Sequence, residues 1–236
     1  MPKTANTILL TRPLAQSKRF AQTCRKRFGS MVPIVISPLI KIEMLQKIAS
    51  IEQYSGLIFT SENGVRAFQH NWQNTDLPAW CVGDRTAKAA SRAGLSARSA
   101  KGDAGNLVDM IISDAPTGCL LHLRGEHTRG AVASSLQAAG VKAEERIVYR
   151  QSPQCLTKEA KEVLQGDMPV ILPLFSPRSA VLFVEQARPC SESLRVVAIS
   201  AAVKDALSGC ISGEILVSPQ PDADGVLSTM ARLMDA

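Results

Sequence analysis

Short apolar runs alternate with amphipathic patterns along most of the chain. Several runs are followed at once by small or capping residues and then by apolar positions at helical spacing, as in Val65, Phe68 and Trp72. Alternating strands and helices are typical of a parallel sheet that is covered on both faces. The predicted strands are Ile8–Leu10, Leu57–Phe59, Trp80–Val82, Leu120–Leu123, Val170–Leu174, Val196–Ile199 and Ile215–Val217.

These strand–helix units are repeated within the chain. The segment Phe59–Phe68 aligns with Leu174–Phe183, and two further pairs follow in the same order. The offset between the copies drifts only slowly, which indicates a duplication of whole units. The further pairs are Val82–Ala87 with Ile199–Lys204 and Gly105–Met110 with Gly225–Met230.

A fourth unit is out of order, because it ends the first copy at 120–140 but has its counterpart at the N-terminus, at 8–29. The sequence therefore predicts an α/β fold with two similar parallel-sheet domains joined by a two-stranded connector, one domain being discontinuous. The predicted domains are residues 1–36 plus 153–236, and 41–147, with 37–40 and 148–152 as a connector that forms a natural hinge.

Composition narrows the function classes. The 236 residues are 45% hydrophobic, enough for a core, and charged residues interrupt every apolar run before it reaches membrane-spanning length. The net charge of +6 favours an anionic partner. Aromatic residues make up only 4% of the chain, and no arginine-rich tail accompanies them, so nucleic acid is not the expected partner. The basic stretch Lys18–Arg27 has the spacing of a solvated helix face.

Cysteines and histidines do not suggest a metal or disulfide framework. The six cysteines are at least 20 residues apart, and the N-terminus carries no apolar run of signal-peptide length, so a reducing, cytoplasmic location with free thiols is predicted. The histidines His70, His122 and His127 lack metal-ligand grouping, and we expect them at the surface or capping helices.

Both copies place a serine between the end of a predicted strand and the start of the following helix, at Ser61 and Ser176. Serine at this position caps the helix, and the free N–H groups and dipole of a helix start also favour an anion. If the two lobes face each other across the hinge, such positions would line a cleft suited to a ligand with many carboxylates. The inward positions would be Thr60, Ser61, Gly83, Thr86, Ser176, Ser200 and Ala202, with Arg12, Arg124 and Arg195 as candidate cationic contacts.

The chain resembles the uroporphyrinogen-III synthase family. The matching pieces are LLTRP, GLIFTSENGVRAF, VGDRTAKA, LHLRG, IVYR, LFSPRSAVLF and VVAIS, which run in order from Ile8 to about Leu207. Each piece is weak singly, and their order and spacing carry the resemblance. The family's architecture, two α/β lobes with a two-stranded connector, is similar to the one predicted above.

The resemblance implies a hydro-lyase that cyclises hydroxymethylbilane to uroporphyrinogen III with loss of water and inversion of ring D, a step of haem and other tetrapyrrole biosynthesis. No cofactor and no metal are implied. It also implies that Thr60, Ser61, Thr86, Ser176 and Arg195 line the product-contacting walls. Glu62 and Pro177, which follow the two serines, complete the predicted substrate-binding set. The Ser200–Val203 segment lacks hydroxyls that the family often has, which leaves backbone amides for that wall.

Tyr149 aligns with the family's tyrosine at the connector. The resemblance implies a general acid that protonates the departing hydroxyl. The alternative is a half-buried hairpin tyrosine with a packing role only.

Two other functions remain open at this level. One is a non-catalytic two-lobed binding protein for a small polyanion, and the other is a nucleic-acid-associated protein suggested by charge alone. The expected partner is a small linear tetrapyrrole, with no nucleic acid and no membrane. A monomer is expected, and transient contact with the enzyme that makes the bilane is an open alternative that no residue supports.

Overall fold

The computed structural model describes residues 6–46, 49–72, 76–127, 130–187, 193–209 and 211–234. Its contacts divide the chain into unit 1, Met1–Lys41 with Ser152–Ala236, and unit 2, Ile42–Gln151. The chain therefore passes from one unit to the other twice. The roles of these units as hinged domains, with the predicted boundaries, stay a prediction.

Strands and helices alternate along the described residues. The strands are β1 (Thr7–Leu10), β2 (Ile34–Ile36), β3 (Ile40–Met44), β4 (Gly56–Phe59), β5 (Pro78–Cys81), β6 (Ser96–Ser99), β7 (Leu120–Gly125), β8 (Ala143–Pro153), β9 (Val170–Leu174), β10 (Leu194–Ala198) and β11 (Ile215–Val217). The helices are α1 (Leu14–Phe28), α2 (Glu62–Asn71), α3 (Asp84–Arg92), α4 (Ala104–Asp114), α5 (Val132–Ala138), α6 (Lys158–Gln165), α7 (Pro177–Val184), α8 (Ala201–Asp205) and α9 (Ala223–Met234).

Unit 1 has a parallel sheet in the order β11-β10-β9-β1-β2. Helices α1 and α9 pack on one face through residues such as Phe20 and Met230. Helices α6, α7 and α8 cover the other face through residues such as Leu164 and Phe183. Because both faces are covered, every residue of β9 is buried, which explains its unbroken apolar run.

Unit 2 has a sheet in the order β3-β8-β7-β4-β5-β6, in which β4 to β8 run parallel. Helices α2 and α3 pack on one face through residues such as Phe68 and Ala90. Helices α4 and α5 pack on the other through residues such as Ile111 and Leu136. Every residue of the central strand β4 is buried.

The two sheets share one strand order. Reading β11-β10-β9-β1-β2 beside β6-β5-β4-β7-β8 pairs β9 with β4, β10 with β5 and β1 with β7, the pairs expected from the sequence repeat. The two-sheet α/β fold class predicted from the sequence is confirmed. Beyond the shared order, β3 lies beside β8: Leu45 donates to the Val148 carbonyl and Gln154 to the Leu39 carbonyl, an antiparallel relation.

Four of the described strands, β2, β3, β6 and β8, lie outside the apolar runs that predicted the others. In β6 the residues alternate between exposed and half-buried, so this polar edge strand gives little hydrophobic signal. β2 has only three residues. Within β8, charged residues Glu144, Glu145 and Arg146 interrupt the apolar pattern.

The described cysteines Cys24, Cys81, Cys119 and Cys155 are free. Burial raises the pKa of the Cys24 and Cys81 thiols to about 12, so both stay protonated and inert. Cys190 and Cys210 lie outside the described residues. In the part of the chain that the structure describes, none of the helices has the length and apolar character needed to cross a membrane.

Helix α2 approaches strand β7 very closely at Gly64. A Cβ atom added there would lie 2.6 Å from the Leu123 carbonyl oxygen, which is backbone and has little freedom to move. Glycine at this position therefore lets the α2 start sit directly on the centre of the sheet.

The expectation that the histidines lie at the surface or cap helices is wrong for His122. His70 and His127 are exposed, but His122 lies within β7 and is only 1% exposed. Burial lowers the pKa of its imidazole to about 4, and nearby Glu145 opposes this shift while Arg124 adds to it. His122 is therefore neutral at physiological pH.

We expect Gly64→Ala to lower the free energy of unfolding by about 1–3 kcal/mol, because the new methyl group must push α2 away from β7. Urea denaturation followed by circular dichroism measures this. Gly166→Ala is the matched control: its added Cβ would make only ordinary contacts, at 3.5 Å or more, so its stability should be unchanged or higher. Equal stability losses in the two variants would contradict the close-approach argument.

We expect His122 to make the protein sensitive to mild acid. Its folded-state pKa lies below the ordinary value of 6.5. The stability that depends on the neutral imidazole is therefore fully present above pH 6.5 and is lost as the pH falls toward 4. The loss amounts to about 3 kcal/mol over that range. His122→Met should remove this part of the pH dependence in denaturation curves, whereas replacing the exposed His70 by Gln should leave it. A His122→Met curve parallel to that of the wild type would refute the assignment.

Candidate functional site

Each sheet has one point where the chain's direction of winding reverses. In unit 1, β1 leads into α1 on one face, while its neighbour β9 leads into α7 on the other. In unit 2, β7 leads toward α5 on one face, while its neighbour β4 leads into α2 on the other. Ligands of open α/β sheets bind outside the carboxyl ends of the strands at such a switch point. Each unit therefore has a defined candidate site.

In unit 1 the strands at the switch point separate early. The β1–β9 pairing reaches only Ile8 opposite Ile171, before either strand ends. Val170 and Leu174 bond to the β10 side, so the alternate residue Pro173 faces β1. Proline has no N–H to donate, which ends the ladder on that side and leaves the strands free to diverge.

In unit 2 the β4–β7 pairing ends at Ile58 opposite His122, again before either strand ends. The neighbouring β4–β5 pairing continues to Phe59, the last residue of β4. The separation is therefore confined to the switch point. Thr60 and Ser61 follow β4 immediately at this opening.

The predicted capping role of both serines is confirmed. Ser61 precedes α2, and its side-chain oxygen accepts from the Asn63 N–H at 3.1 Å. Ser176 precedes α7, accepts from the Ser179 N–H at 3.1 Å, and lies 2.9 Å from the Ser179 hydroxyl. Glu62 and Pro177 are the first residues of the two helices, and both are half-buried.

The next strand of each sheet brings the other predicted small residues to the same edge. Gly83 and Ser200 occupy the N-cap positions of α3 and α8, and neither forms a side-chain capping bond. Thr86, in the first turn of α3, is 5% exposed, whereas Ala202 of α8 is exposed. The backbone at Gly83 is open, because a Cβ there would meet nothing within 4 Å.

The three predicted arginines differ in their surroundings. Arg12 follows β1, and its guanidinium lies 3.9 Å from the centre of the Phe175 ring, a cation–π contact across the unit 1 switch point. Arg124 near the end of β7 pairs with Glu145 at 2.5 Å and also donates to the carbonyls of Gly125 and Glu126. Its interactions hold the chain that leaves β7.

Arg195 does not lie with the other predicted residues. It is the second residue of β10, opposite Ile171, and so belongs to the amino half of the strand. One of its guanidinium nitrogens donates to the Leu233 carbonyl in the last turn of α9 at 3.3 Å. A cation at a helix C-terminus is stabilising, which gives Arg195 a structural role.

Tyr149 is placed by an irregularity between β7 and β8. The register shifts between Arg124 and Gly125, so that Gly125 lies opposite Tyr149. The tyrosine ring covers this glycine: a Cβ on Gly125 would lie 2.6 Å from two ring carbons and 2.9 Å from the hydroxyl oxygen. Tyr149 is 5% exposed, more buried than the alternative of a half-buried hairpin residue assumed.

The sequence reasoning missed one polar contact at the unit 2 opening. His122 Nε2 lies 3.1 Å from the Thr60 hydroxyl, where the β4–β7 ladder has just ended. The other ring nitrogen, Nδ1, is buried without a hydrogen-bond partner. A lone polar residue inside the apolar run Leu120–Leu123 is the signal that could have indicated it.

A metal site is not formed by the described residues. Among them, no three His, Cys, Asp or Glu side chains come together in a way that could hold an ion. The described residues at the two openings include hydroxyl groups, serine-capped helix starts, an arginine and a buried imidazole.

Comparisons with known proteins identify the family. The family model described as uroporphyrinogen-III synthase HemD matches residues 18–228. No curated protein matches the chain.

Two solved structures share the fold. A uroporphyrinogen-III synthetase from Helicobacter pylori superposes with a TM-score of 0.68 at 15% identity, covering 97% of this chain and 99% of the other. A mutant uroporphyrinogen III synthase from the extremely thermophilic bacterium Thermus thermophilus gives 0.51 at 13% identity, covering 98% and 99%. At these identities the likeness concerns the fold. Because the family model spans most of the sequence, the chain belongs to the uroporphyrinogen-III synthase family, the cyclising lyases of tetrapyrrole biosynthesis.

Proposed function

We propose that the chain converts hydroxymethylbilane to uroporphyrinogen III by holding the substrate's acid groups at the carboxyl edges of its sheets, with Tyr149 as the proton donor. The observation that carries this proposal is the duplicated opening: each unit has a separated pair of central strands and a serine-capped helix start beside it. The linear tetrapyrrole carries acetate and propionate groups on every ring, and a duplicated set of anion-favouring positions suits such a ligand.

The reaction begins when the terminal hydroxyl of the bilane takes up a proton and leaves as water. The resulting azafulvene is electrophilic, and ring D attacks it through its substituted carbon to give a spiro intermediate. Fragmentation and re-closure at the free carbon invert ring D, and loss of a ring proton restores the pyrrole. Uncatalysed closure gives the type I isomer, so the protein's task is to hold the chain ends in the geometry for the other attack.

The capping serines can bind an anion without giving up their structural role. Ser61 and Ser176 use an oxygen lone pair to accept from a backbone N–H, so the hydroxyl proton of Ser61 remains available to a carboxylate. The Ser176 hydroxyl can turn between Ser179 and a ligand. In the proposal Thr60, Thr86 and Ser200 supply further hydroxyl groups.

Backbone groups and charges complete the proposed set. In the proposal, backbone N–H groups around Gly83 and Ala202 contact the substrate, and the backbone at Gly83 is open because a Cβ there would meet nothing within 4 Å. Pro177 has no N–H and in the proposal offers only its ring as a contact surface. Arg12 adds positive charge, while Glu62 provides an acceptor for the pyrrole N–H groups. The ties of Arg124 to Glu145 and two carbonyls make its contribution mainly one of shaping the loop after β7. The helix-capping contact of Arg195 argues against a direct substrate contact for that residue.

Tyr149 suits the role of proton donor because its ring is fixed. The ring lies across Gly125 and packs in the unit 2 core, so the hydroxyl is held in one place. In the proposed cycle the hydroxyl protonates the leaving group, and the tyrosinate recovers a proton when the closed macrocycle loses its ring proton. Atoms and charges then balance with water as the only by-product.

The proposal extends to the oligomeric state and the cellular location. We propose that the chain acts as a monomer in the cytoplasm. The described thiols are free, as in a reducing compartment, and each unit has its own apolar clusters. Contact with the enzyme that makes the bilane stays a prediction.

A coupled assay tests the proposed function. Hydroxymethylbilane is generated in the presence of the protein, the products are oxidised, and the type I and type III isomers are separated by chromatography. We expect predominantly type III with the protein and type I in its absence. Type I alone, formed at the uncatalysed rate, would overturn the proposal.

The role of Tyr149 is tested by removing one oxygen atom. Loss of a general acid typically lowers the rate by about 10²–10⁴-fold, so Tyr149→Phe should lower kcat by that order with the thermal stability preserved. Tyr54→Phe is the matched control: this tyrosine is equally buried, but its hydroxyl donates to Glu144 at 2.5 Å. Its kcat should match that of the wild type. Unchanged kinetics in Tyr149→Phe would remove the general-acid role.

A further inference from the structure

A side-chain contact bridges the unit 2 switch point. Backbone pairing between β4 and β7 stops at Ile58 opposite His122, and Thr60 lies beyond this last pair. Across the gap, His122 Nε2 and Thr60 Oγ1 are 3.1 Å apart. Thr60 is half-buried at the opening, and His122 is buried beneath it. One end of this contact therefore reaches toward the proposed substrate.

The direction of the hydrogen bond follows from the surroundings of the imidazole ring. A neutral imidazole carries its proton on one nitrogen only. If Thr60 donated to Nε2, the proton would sit on Nδ1, which is buried without a partner. A buried N–H donor without an acceptor is rarer in proteins than a buried acceptor without a donor. The favoured form therefore has the proton on Nε2, donating to Thr60.

The groups that face the imidazole do not change the favoured tautomer, with its proton on Nε2. On the neighbouring strand, Glu145 lies opposite His122 in register but pairs with Arg124 at 2.5 Å. The helices α4 and α5 on the same face contribute apolar residues, such as Ile111 and Leu136. Burial keeps the ring neutral, with its pKa lowered to about 4.

We propose that His122 is a positioning residue, which donates to Thr60 and so directs the threonine hydroxyl proton toward a carboxylate of the bound tetrapyrrole. With the Thr60 oxygen already accepting from His122, its own proton is free for a ligand. Thr60 then acts as an oriented donor beside Ser61. This inference rests on the proposed function, because it needs an acidic substrate at the unit 2 opening.

The same geometry separates a positioning role from a structural one. The buried Nδ1 has no partner, so His122 costs the folded protein a desolvated polar group. Replacing the ring by an apolar side chain of similar size removes that cost. His122→Met should therefore be as stable as the wild type at neutral pH, or more stable, while its activity falls. A residue with only a structural role would not show this opposition.

The first measurement is the protonation state of His122 in the intact wild-type protein. Nitrogen-15 NMR of the labelled imidazoles distinguishes the two neutral forms, and the His122 signals are assigned by their absence from His122→Gln. We expect a neutral ring with the proton on Nε2 at pH 7. A proton on Nδ1, or a charged ring, overturns the proposal. This readout does not depend on any activity.

The second measurement is kcat/KM for hydroxymethylbilane in a set of variants. A single neutral hydrogen bond is worth about 0.5–1.5 kcal/mol, so His122→Met should lower kcat/KM by about threefold to tenfold. His122→Gln can keep a donor near the Nε2 position and should recover part of the loss. Thr60→Val should lower kcat/KM at least as much. In the Thr60→Val background, adding His122→Met should change nothing more, because the pair acts as one unit.

The outcomes are distinguishable. Unchanged kcat/KM in His122→Met, or additive losses in the double variant, overturns the positioning role even if the wild type makes type III product. If His122→Met does not fold, His122→Gln and Thr60→Val decide the question through the same kinetics. A wild type that makes only type I product overturns the proposed function and this inference with it, whatever tautomer the NMR spectra report.

Discussion

The structure depends on one arrangement: where the helices that follow two adjacent parallel strands leave on opposite faces of the sheet, a crevice lies outside the carboxyl ends of those strands. At β1 with β9, and again at β4 with β7, the ladder stops before either strand does. Several of the candidate features lie around these two openings. The serine caps, the cation over Phe175 and the buried imidazole all lie near the points where the backbone pairing between the two strands ends.

The two openings are related by the duplicated strand order but differ in chemistry. In unit 1 a proline ends the ladder, and an arginine resting on an aromatic ring crosses the gap. In unit 2 a neutral histidine and a threonine cross it. The two sheets thus have the same strand order, but the contact across the opening involves a charged side chain in unit 1 and only uncharged side chains in unit 2.

Much of the fold was predictable from the sequence, because buried strands and capped helices leave local signals. Ser61 and Ser176 stand at their helix starts as expected, since serine caps act through neighbouring N–H groups. Arg195 shows the limit of such reasoning. A strand arginine can lie near either end of its strand, and its partner in α9 is distant in sequence. His122 shows another limit, because its burial depends on three-dimensional packing of β7, α4 and α5.

The discontinuity of unit 1 has a consequence for synthesis of the chain on the ribosome. Strand β1 emerges first, yet its neighbour β9 follows only after the whole of Ile42–Gln151 has been translated. At roughly 5–20 residues per second, the apolar side chains of Ile8, Leu9 and Leu10 wait roughly 8–30 seconds for that partner. The inserted unit has all its strands in one stretch and can assemble during that interval. During that interval the unpaired edge of β1 is exposed to aggregation.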